Sequence, residues 1–380
     1  KVSAKIARAI PSIHQLSTAK DQPSDISRQR PITSLQAIVF TSGTTGRPKA
    51  VPITFDQHFY SAMGSAYRLG VQTNDIWLSV LPLYHVGGLA VIFRSTLYGT
   101  AVDLHPRFDL IEINQALDDK AITMISVVPT MLYRMIEIRE RWPDSLRLIL
   151  VGGAAASPEL VEAAGGIAQD SRPLISTTYG MTEAASQFVT QTPANTALKP
   201  GSVGKPLLFN QLKIVDDAGS EQPIHTYGEI WAKGPVLMSG YLDHPAANAE
   251  RFVDGWFRTG DIGMLDEEGD LFVIQRRSDL IISGGENVYP AEVEAALRHH
   301  PAVKEACVVG ILNPEWGEIV AAMVELIPQQ QVDEAELIAY SRQHLAGYKQ
   351  PRRIDFVEEL PQTASGKIER KRVKALMQAS

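Results

Sequence analysis

The sequence predicts an α/β protein built in layers, and three observations carry that expectation. From Leu35 onward, short apolar runs alternate with amphipathic stretches, the pattern of a core with largely parallel strands. Between residues 201 and 274 strands dominate and turn sequences such as Asp216-Asp217-Ala218-Gly219 punctuate them, which marks a small β subdomain. After the charged cluster Gln275-Arg276-Arg277-Ser278-Asp279 comes a helix, strand, strand, helix series, a compact α+β unit followed by a basic tail.

Each element has its own warrant. Residues 37–40, 76–81, 101–104, 123–128 and 146–151 are short apolar runs and read as strands. Residues 55–69, 110–117, 130–139 and 158–164 read as helices. In the first of these, Phe55, Phe59, Ala62, Ala66 and Leu69 fall on one face. Thr54 suits an N-cap, as does Ser157 with Pro158 at the first helical position. In the last unit, 290–299 and 333–344 read as helices, and 304–310 and 319–327 as strands. The boundaries expected are a large domain over 1–274, with its β subdomain at 201–274, a junction at 275–279 and a C-terminal domain over 280–380.

Bulk composition narrows the function classes. The chain has 380 residues, 44% hydrophobic and 21% charged, as in a globular protein. Thirty-six Lys and Arg against 43 Asp and Glu leave a net charge of −7. No global basic surface invites nucleic acid or anionic membrane. One cysteine, Cys307, excludes an intramolecular disulfide and a multi-cysteine metal site. It lies in a strand-like run and reads as a buried apolar side chain. No apolar stretch reaches membrane-spanning length, and residues 1–30 lack the apolar centre of a signal peptide. A cytoplasmic location is the expectation.

The run Thr41-Ser42-Gly43-Thr44-Thr45-Gly46-Arg47-Pro48-Lys49 carries the most chemistry. Glycine lets the backbone approach a ligand, successive N–H groups form an anion nest, hydroxyls add donors and Lys49 adds charge. It suits a triphosphate. It is not a Walker A loop, because Gly43 and Gly46 are too close and Ala50 follows the lysine. In Tyr179-Gly180-Met181-Thr182-Glu183 an aromatic face, a hydroxyl and a carboxylate suit adenine, phosphate and Mg²⁺ in turn. Asp261 closes Trp256-Phe257-Arg258-Thr259-Gly260-Asp261 with a carboxylate able to accept from two ribose hydroxyls. Gly152-Gly153-Ala154-Ala155 leaves room for a flat ligand at a strand end. Lys367 stands in a Gly- and Ser-containing loop, Pro361-Gln362-Thr363-Ala364-Ser365-Gly366-Lys367. Taken singly, each has a plain alternative. Thr182 suits a helix N-cap, Asp261 a turn, Gly152 to Ala155 a tight strand-to-helix turn, and Lys367 a solvated surface charge.

Order and spacing remove most of that ambiguity. Together with Leu81-Pro82-Leu83-Tyr84-His85, Arg276 to Asp279 and Ser283-Gly284-Gly285-Glu286-Asn287, these motifs resemble the acyl-adenylate-forming superfamily, from about Leu35 to Arg370. Within it the chain is most similar to the o-succinylbenzoate–CoA ligases of menaquinone biosynthesis. That likeness lies in Leu81 to Leu89, Leu104-His105-Pro106-Arg107-Phe108, Thr123-Met124-Ile125-Ser126 and Met181 to Gln187. The resemblance implies an enzyme that activates a carboxylic acid with ATP as acyl-AMP, releases pyrophosphate, and passes the acyl group to CoA. Its fold would carry a mobile C-terminal domain.

The roles the resemblance implies are specific. Thr41, Ser42, Gly43, Thr44, Thr45, Gly46 and Lys49 hold the β- and γ-phosphates. Thr182 contacts the α-phosphate and Glu183 helps hold Mg²⁺. Tyr179 packs on adenine, with Gly152, Gly153 and Ala154 on its other side. Asp261 and Arg276 bind ribose. Lys367 reaches the α-phosphate and the substrate carboxylate, and His85 borders the acyl pocket and gates the thiol; a packed histidine is its alternative. His85, Ser126, Thr130, Gly153 and Ser186 are the acyl-pocket candidates, with hydroxyls to meet a second carboxylate. Ser283, Gly284 and Gly285 face CoA once the C-terminal domain has turned about Ser278. ATP, Mg²⁺ and CoA are the expected cofactor set, with no nucleic acid or membrane span and a homodimer as an open assembly. Alternatives are another aromatic or medium-chain acid, a carrier protein as acceptor, or a non-catalytic nucleotide-binding relative. Two departures stand out. Only 40 residues precede Thr41, where the family places a whole α/β subdomain, so that subdomain is expected to be incomplete. Ser278 also occupies the hinge position where many relatives carry Lys or Asp.

Overall fold

The computed structural model describes residues 31–41, 48–167, 174–276, 279–283, 286–313, 316–363 and 366–379. Among the described residues, the chain from Leu35 onward builds four sheets. β1 (Leu35–Thr41) and β2 (Lys49–Thr54) form an antiparallel ribbon in which Thr41 pairs with Lys49. The two ends of the glycine-rich run, Thr41 and Lys49, are therefore held in register. α1 (Phe55–Leu69) follows from a capping box at Thr54 and Gln57.

The main sheet comes next. It contains β3 (Ile76–Ser79), α2 (Val86–Tyr98), β4 (Ala101–Leu104), α3 (Leu110–Asp119) and β5 (Met124–Val127). It continues with α4 (Pro129–Ile136), β6 (Leu148–Gly152), α5 (Pro158–Gly166), β7 (Ile175–Met181), β8 (Ser186–Thr190), α6 (Pro193–Leu198) and β9 (Lys205–Pro206). The strand order is β4-β3-β5-β6-β7-β8-β9, parallel through β7 and antiparallel beyond. β5 is buried along its whole length, and β6 for four of its five residues. Such strands read as continuous apolar runs because helices cover both faces. Leu78, Ile113, Leu117, Ile125, Leu132, Trp142 and Ile149 are the heart of this core. Asp75, just before β3, is 1% exposed and accepts from Arg147 and from Thr123, tying β3 to β5 and β6. Order reverses at β3, which sits between β4 and β5. In open α/β sheets that reversal leaves a crevice at the carboxyl ends of the strands.

The β subdomain is an antiparallel sheet. It holds β10 (Gln211–Val215), β11 (Gly228–Lys233), α7 (Pro245–Arg251), β12 (Phe252–Val253), β13 (Trp256–Leu265) and β14 (Leu271–Arg276). The last sheet has β15 (Ile281–Ser283), β16 (Glu286–Val288), α8 (Pro290–Arg298), β17 (Val303–Asn313), β18 (Gly317–Leu326), α9 (Glu334–Ser341), β19 (Arg353–Val357) and α10 (Arg370–Ala379). Ala306 and Val308 face one apolar cluster while Cys307, Val309 and Ile311 face another. Both faces of β17 are thus covered, and Cys307 is fully buried as its surroundings in the sequence suggest. α10, read from sequence as a basic tail, is a helix that inserts Val373 and Met377 into the second cluster. Among the described residues no helix is long and apolar enough to cross a membrane.

Candidate active site

A cavity of about 330 Å³ opens at the carboxyl ends of β5, β6 and β7. Thr41 and Lys49 enter it from the two ends of the glycine-rich run. Ser126, Val127 and Val128 come from the end of β5, Gly152 and Gly153 from β6, and Thr178 and Gly180 to Glu183 from β7 and the turn after it. His85, the N-cap of α2, lines it beside Leu81 and Pro82, and Asp261 and Lys367 complete the wall. Residues as far apart in sequence as Phe40 and Lys367 share one space.

Local packing explains the spacing of small residues. A Cβ on Gly152 would lie 2.6 Å from the Thr178 methyl, and one on Gly180 would run into the Ser186 carbonyl. Gly153, at φ +80°, would put a Cβ 3.1 Å from Lys367 Cε and 3.3 Å from its Nζ. Bare backbone there is what seats the lysine. Burial and then the Lys367 charge push the His85 imidazole below its usual range, which favours a neutral ring at neutral pH. Ala185 (φ 54°) and Ser186 (φ 140°) lie in a backbone region that side chains rarely adopt, where β7 turns back into β8 beside the cavity. Strain of this kind gathers at functional sites.

Two polar pairs brace the wall formed by Asp261 and Glu183. The Tyr179 hydroxyl donates to Asp261 Oδ2 at 2.6 Å, and the Thr259 hydroxyl accepts from the Asp261 N–H at 3.0 Å. The Tyr241 hydroxyl donates to Glu183 Oε1 at 2.7 Å, while Lys49 Nζ lies 4.9 Å from the Tyr241 ring centre. Among the described residues no cluster of three or more His, Cys, Asp or Glu could hold a metal by itself. One carboxylate, Glu183, beside a cavity suited to phosphate fits Mg²⁺, which takes one or two carboxylates and completes its shell with substrate phosphates and water.

Residues 4–242 match the family model of the AMP-binding enzyme. The chain belongs to that family. A second model, the AMP-binding enzyme C-terminal domain, matches residues 292–367. The match begins upstream of Leu35, where the motif resemblance starts. A 2–succinylbenzoate–CoA ligase of Bacillus licheniformis is 46% identical over 348 residues, 90% of this chain and 71% of that protein. Among solved structures, o-succinylbenzoate CoA synthetase (MenE) from Bacillus subtilis in complex with the acyl-adenylate intermediate OSB-AMP superposes with a TM-score of 0.86. It is 41% identical, and the match covers 95% of this chain and 73% of that one. The same enzyme in complex with ATP and magnesium ion gives a TM-score of 0.84 at 42% identity, over 93% of this chain and 73% of that one.

In this AMP-binding enzyme the structure brings together Thr41, Lys49, His85, Ser126, Gly152, Gly153, Thr182, Glu183, Ser186, Asp261 and Lys367. Tyr179 stands behind Asp261, its ring packed against the cluster of Ala184 and Phe188, and Ala154 is exposed outside the lining. The alternative of Thr182 as an α-helix cap does not hold, since it begins a three-residue 3-10 turn. Thr130 is a correction. It lies outside the lining, on the first turn of α4, where its hydroxyl donates to the Gly366 carbonyl. Ser283 is buried in β15, paired with Gly317 and outside the lining. Arg276 pairs with Asp261 across β13 and β14. Residues 42–46, Ser278, Gly284 and Gly285 lie outside the described residues.

Sequence reading assigned no role to several lining residues, among them Arg94, Gln187, Tyr241 and Arg251. Arg94 is 2% exposed. Its Nη2 is 3.4 Å from Ser61 Oγ, its guanidinium lies 5.8 Å from the Trp77 ring, and its Nε has no partner among the described residues. Burial pushes it down to about 10, which still leaves it charged at neutral pH. Neither amide atom of the buried Gln187 has a partner among the described residues. The signal for Arg94 was a lone cation in the apolar run 89–93 and its surroundings, which also hid α2 itself.

Proposed function

We propose that the chain is an ATP-dependent ligase that joins 2-succinylbenzoate to CoA. The observation that carries the substrate is Arg94. A buried guanidinium lining the acyl cavity, beside the buried amide of Gln187 and the hydroxyl of Ser126, calls for an anion. Only an acid with a carboxylate to spare supplies one after the other carboxylate has been activated. 2-Succinylbenzoate is such an acid, and its ketone adds an acceptor for the Gln187 amide.

The chemistry follows from the groups. A carboxylate does not react with a thiol at neutral pH, because oxide would have to leave. Its oxygen instead attacks the α-phosphorus of ATP, the bond to the β-phosphate oxygen breaks, and pyrophosphate departs. The acyl group is then a mixed anhydride with AMP. The CoA thiol attacks the acyl carbon, loses its proton and displaces AMP. Two anions must meet in the first step, so positioning and charge neutralisation do most of the work. Lys49 and the glycine-rich run take the pyrophosphate end, Thr182 the α-phosphate and Asp261 the ribose. Lys367 lies over the junction of acid and nucleotide. Mg²⁺, held through Glu183 when ATP is bound, neutralises phosphate charge.

One lysine cannot attend both half-reactions from one place. In this reading the C-terminal domain over 280–380 turns about the junction at 275–279 after adenylation, withdrawing Lys367 and bringing Ser283 and its loop toward CoA. A cytoplasmic location accompanies the substrate set. The test is a panel of acids in ATP–pyrophosphate exchange, followed by product mass after CoA addition. 2-Succinylbenzoate is expected to support exchange and a CoA thioester, and monoacids of similar size to support far less. A monoacid turned over more efficiently would sink the substrate assignment.

A further inference from the structure

Thr130 was expected in the acyl pocket, and its place in the structure gives it different work. It is the second residue of α4, directly after the carboxyl end of β5. Its hydroxyl donates to the Gly366 carbonyl at 2.7 Å, across 236 residues of sequence. Gly366 immediately precedes Lys367. The described residues beside it are tied together: the Thr363 N–H donates to the Lys367 carbonyl at 2.7 Å, and the Gly366 N–H donates to the Thr363 carbonyl at 2.9 Å. The Lys367 N–H reaches Thr363 Oγ1 at 3.2 Å. Gly366 has φ +79°, and a Cβ there would lie 3.0 Å from Thr130 Oγ1, so the close approach depends on glycine.

Gly366 and Lys367 thus meet the main sheet at two points. One is the hydroxyl of Thr130 after β5. The other is the bare backbone of Gly153 after β6, against the end of the Lys367 side chain. A long, flexible lysine has many rotamers. Fixing the backbone just before it and leaving a fitted seat for its tip removes most of them. We propose that Thr130 is a positioning residue for acyl-adenylate formation: it holds the Gly366 backbone so that Lys367 stands in the cavity during the first half-reaction. The proposal rests on the reading that Lys367 serves that half-reaction.

The experiment compares Thr130→Val, Thr130→Ser and Lys367→Ala in two assays. One is acid-dependent ATP–pyrophosphate exchange, the other thioester formation from supplied acyl-adenylate and CoA. Valine keeps the β-branched shape and removes the donor. Thr130→Val is expected to lower exchange roughly two- to tenfold, the range a single neutral hydrogen bond accounts for, with thioester formation unchanged. Thr130→Ser should restore exchange. Exchange at the original rate in Thr130→Val, while Lys367→Ala abolishes it, would overturn the proposal and leave the lysine's role standing. Equal loss of both half-reactions in Thr130→Val would make the residue merely structural. Exchange that survives Lys367→Ala would remove the lysine's role, and that of Thr130 with it.

Discussion

A guanidinium buried as deeply as that of Arg94 destabilises a fold unless charge meets it. The described partners of Arg94 are one long hydroxyl contact and the face of Trp77, neither of which carries negative charge. The deficit makes sense if the missing anion arrives with the substrate. Arg94→Met should then raise KM for 2-succinylbenzoate roughly 10- to 150-fold, as loss of a hydrogen bond to a charged group costs about 1.5–3 kcal/mol. The same variant should unfold at an equal or higher temperature, because an uncompensated buried charge has been replaced by a fitting apolar chain. Steady-state kinetics with varied acid, paired with thermal unfolding, checks both. An unchanged KM with a lowered unfolding temperature would mean that Arg94 holds the fold and not the ligand.

At the scale of elements, α1 meets α2 through aromatic contacts that enclose a histidine. His58 stacks on Phe93 with ring centres 4.2 Å apart, and Phe55 meets the same ring edge-on. Burial first, then the neighbouring Arg94 charge, push His58 down to about 4. Between pH 6.5 and 4 the unfolded chain binds a proton at this position that the folded chain refuses, so stability falls as the pH drops through that window. On the order of 2 kcal/mol is lost by pH 5, and nothing is lost above about pH 7. His58→Gln should flatten that part of a stability profile measured by denaturant unfolding, and an unaltered slope would sink the assignment. The two helices also show what sequence reading reaches. α1 was legible because its apolar positions recur at helical spacing and a cap precedes it. α2 was not, because the run Val86-Gly87-Gly88-Leu89-Ala90-Val91-Ile92-Phe93 has no polar position to give a period, and Arg94 was lost with it. β15 and β16, three residues each, are too short to leave a pattern. Thr41, Lys49, Thr182, Glu183 and Asp261 were legible because loop chemistry is local. Arg94 and Gln187 were not, because they meet Ser126 only where α2 packs on the main sheet that β5 and β8 share.

Over the whole molecule, the position of Lys367 in the cavity is one posture, and the function proposed above calls for a second. Among the described residues, the contacts of the last sheet and its helices with the rest include Thr130 to Gly366, Arg134 Nη2 to Glu359 Oε1 at 3.6 Å, His299 Nε2 to Glu159 Oε1 at 3.9 Å, Lys304 Nζ 5.9 Å from the Tyr133 ring centre, and the Tyr227 and Tyr289 rings 5.7 Å apart, besides Lys367 against Gly153. The exposed, polar contacts among these are individually weak, as a reversible rotation requires. Arg134 and Glu359 are well exposed, so cysteines at both positions can be bridged by a short, reducible bismaleimide. The native Cys307 would not compete, being fully buried with its thiol pushed up to about 12 by burial. The bridged double variant is expected to keep ATP–pyrophosphate exchange and to lose thioester formation from supplied acyl-adenylate, with reduction of the bridge restoring it. The same treatment of either single variant controls for modification alone. If the bridged protein made thioester at the unbridged rate, the 280–380 unit would not need to turn, and Lys367 would have to serve both steps from the seat that Gly153 leaves for it.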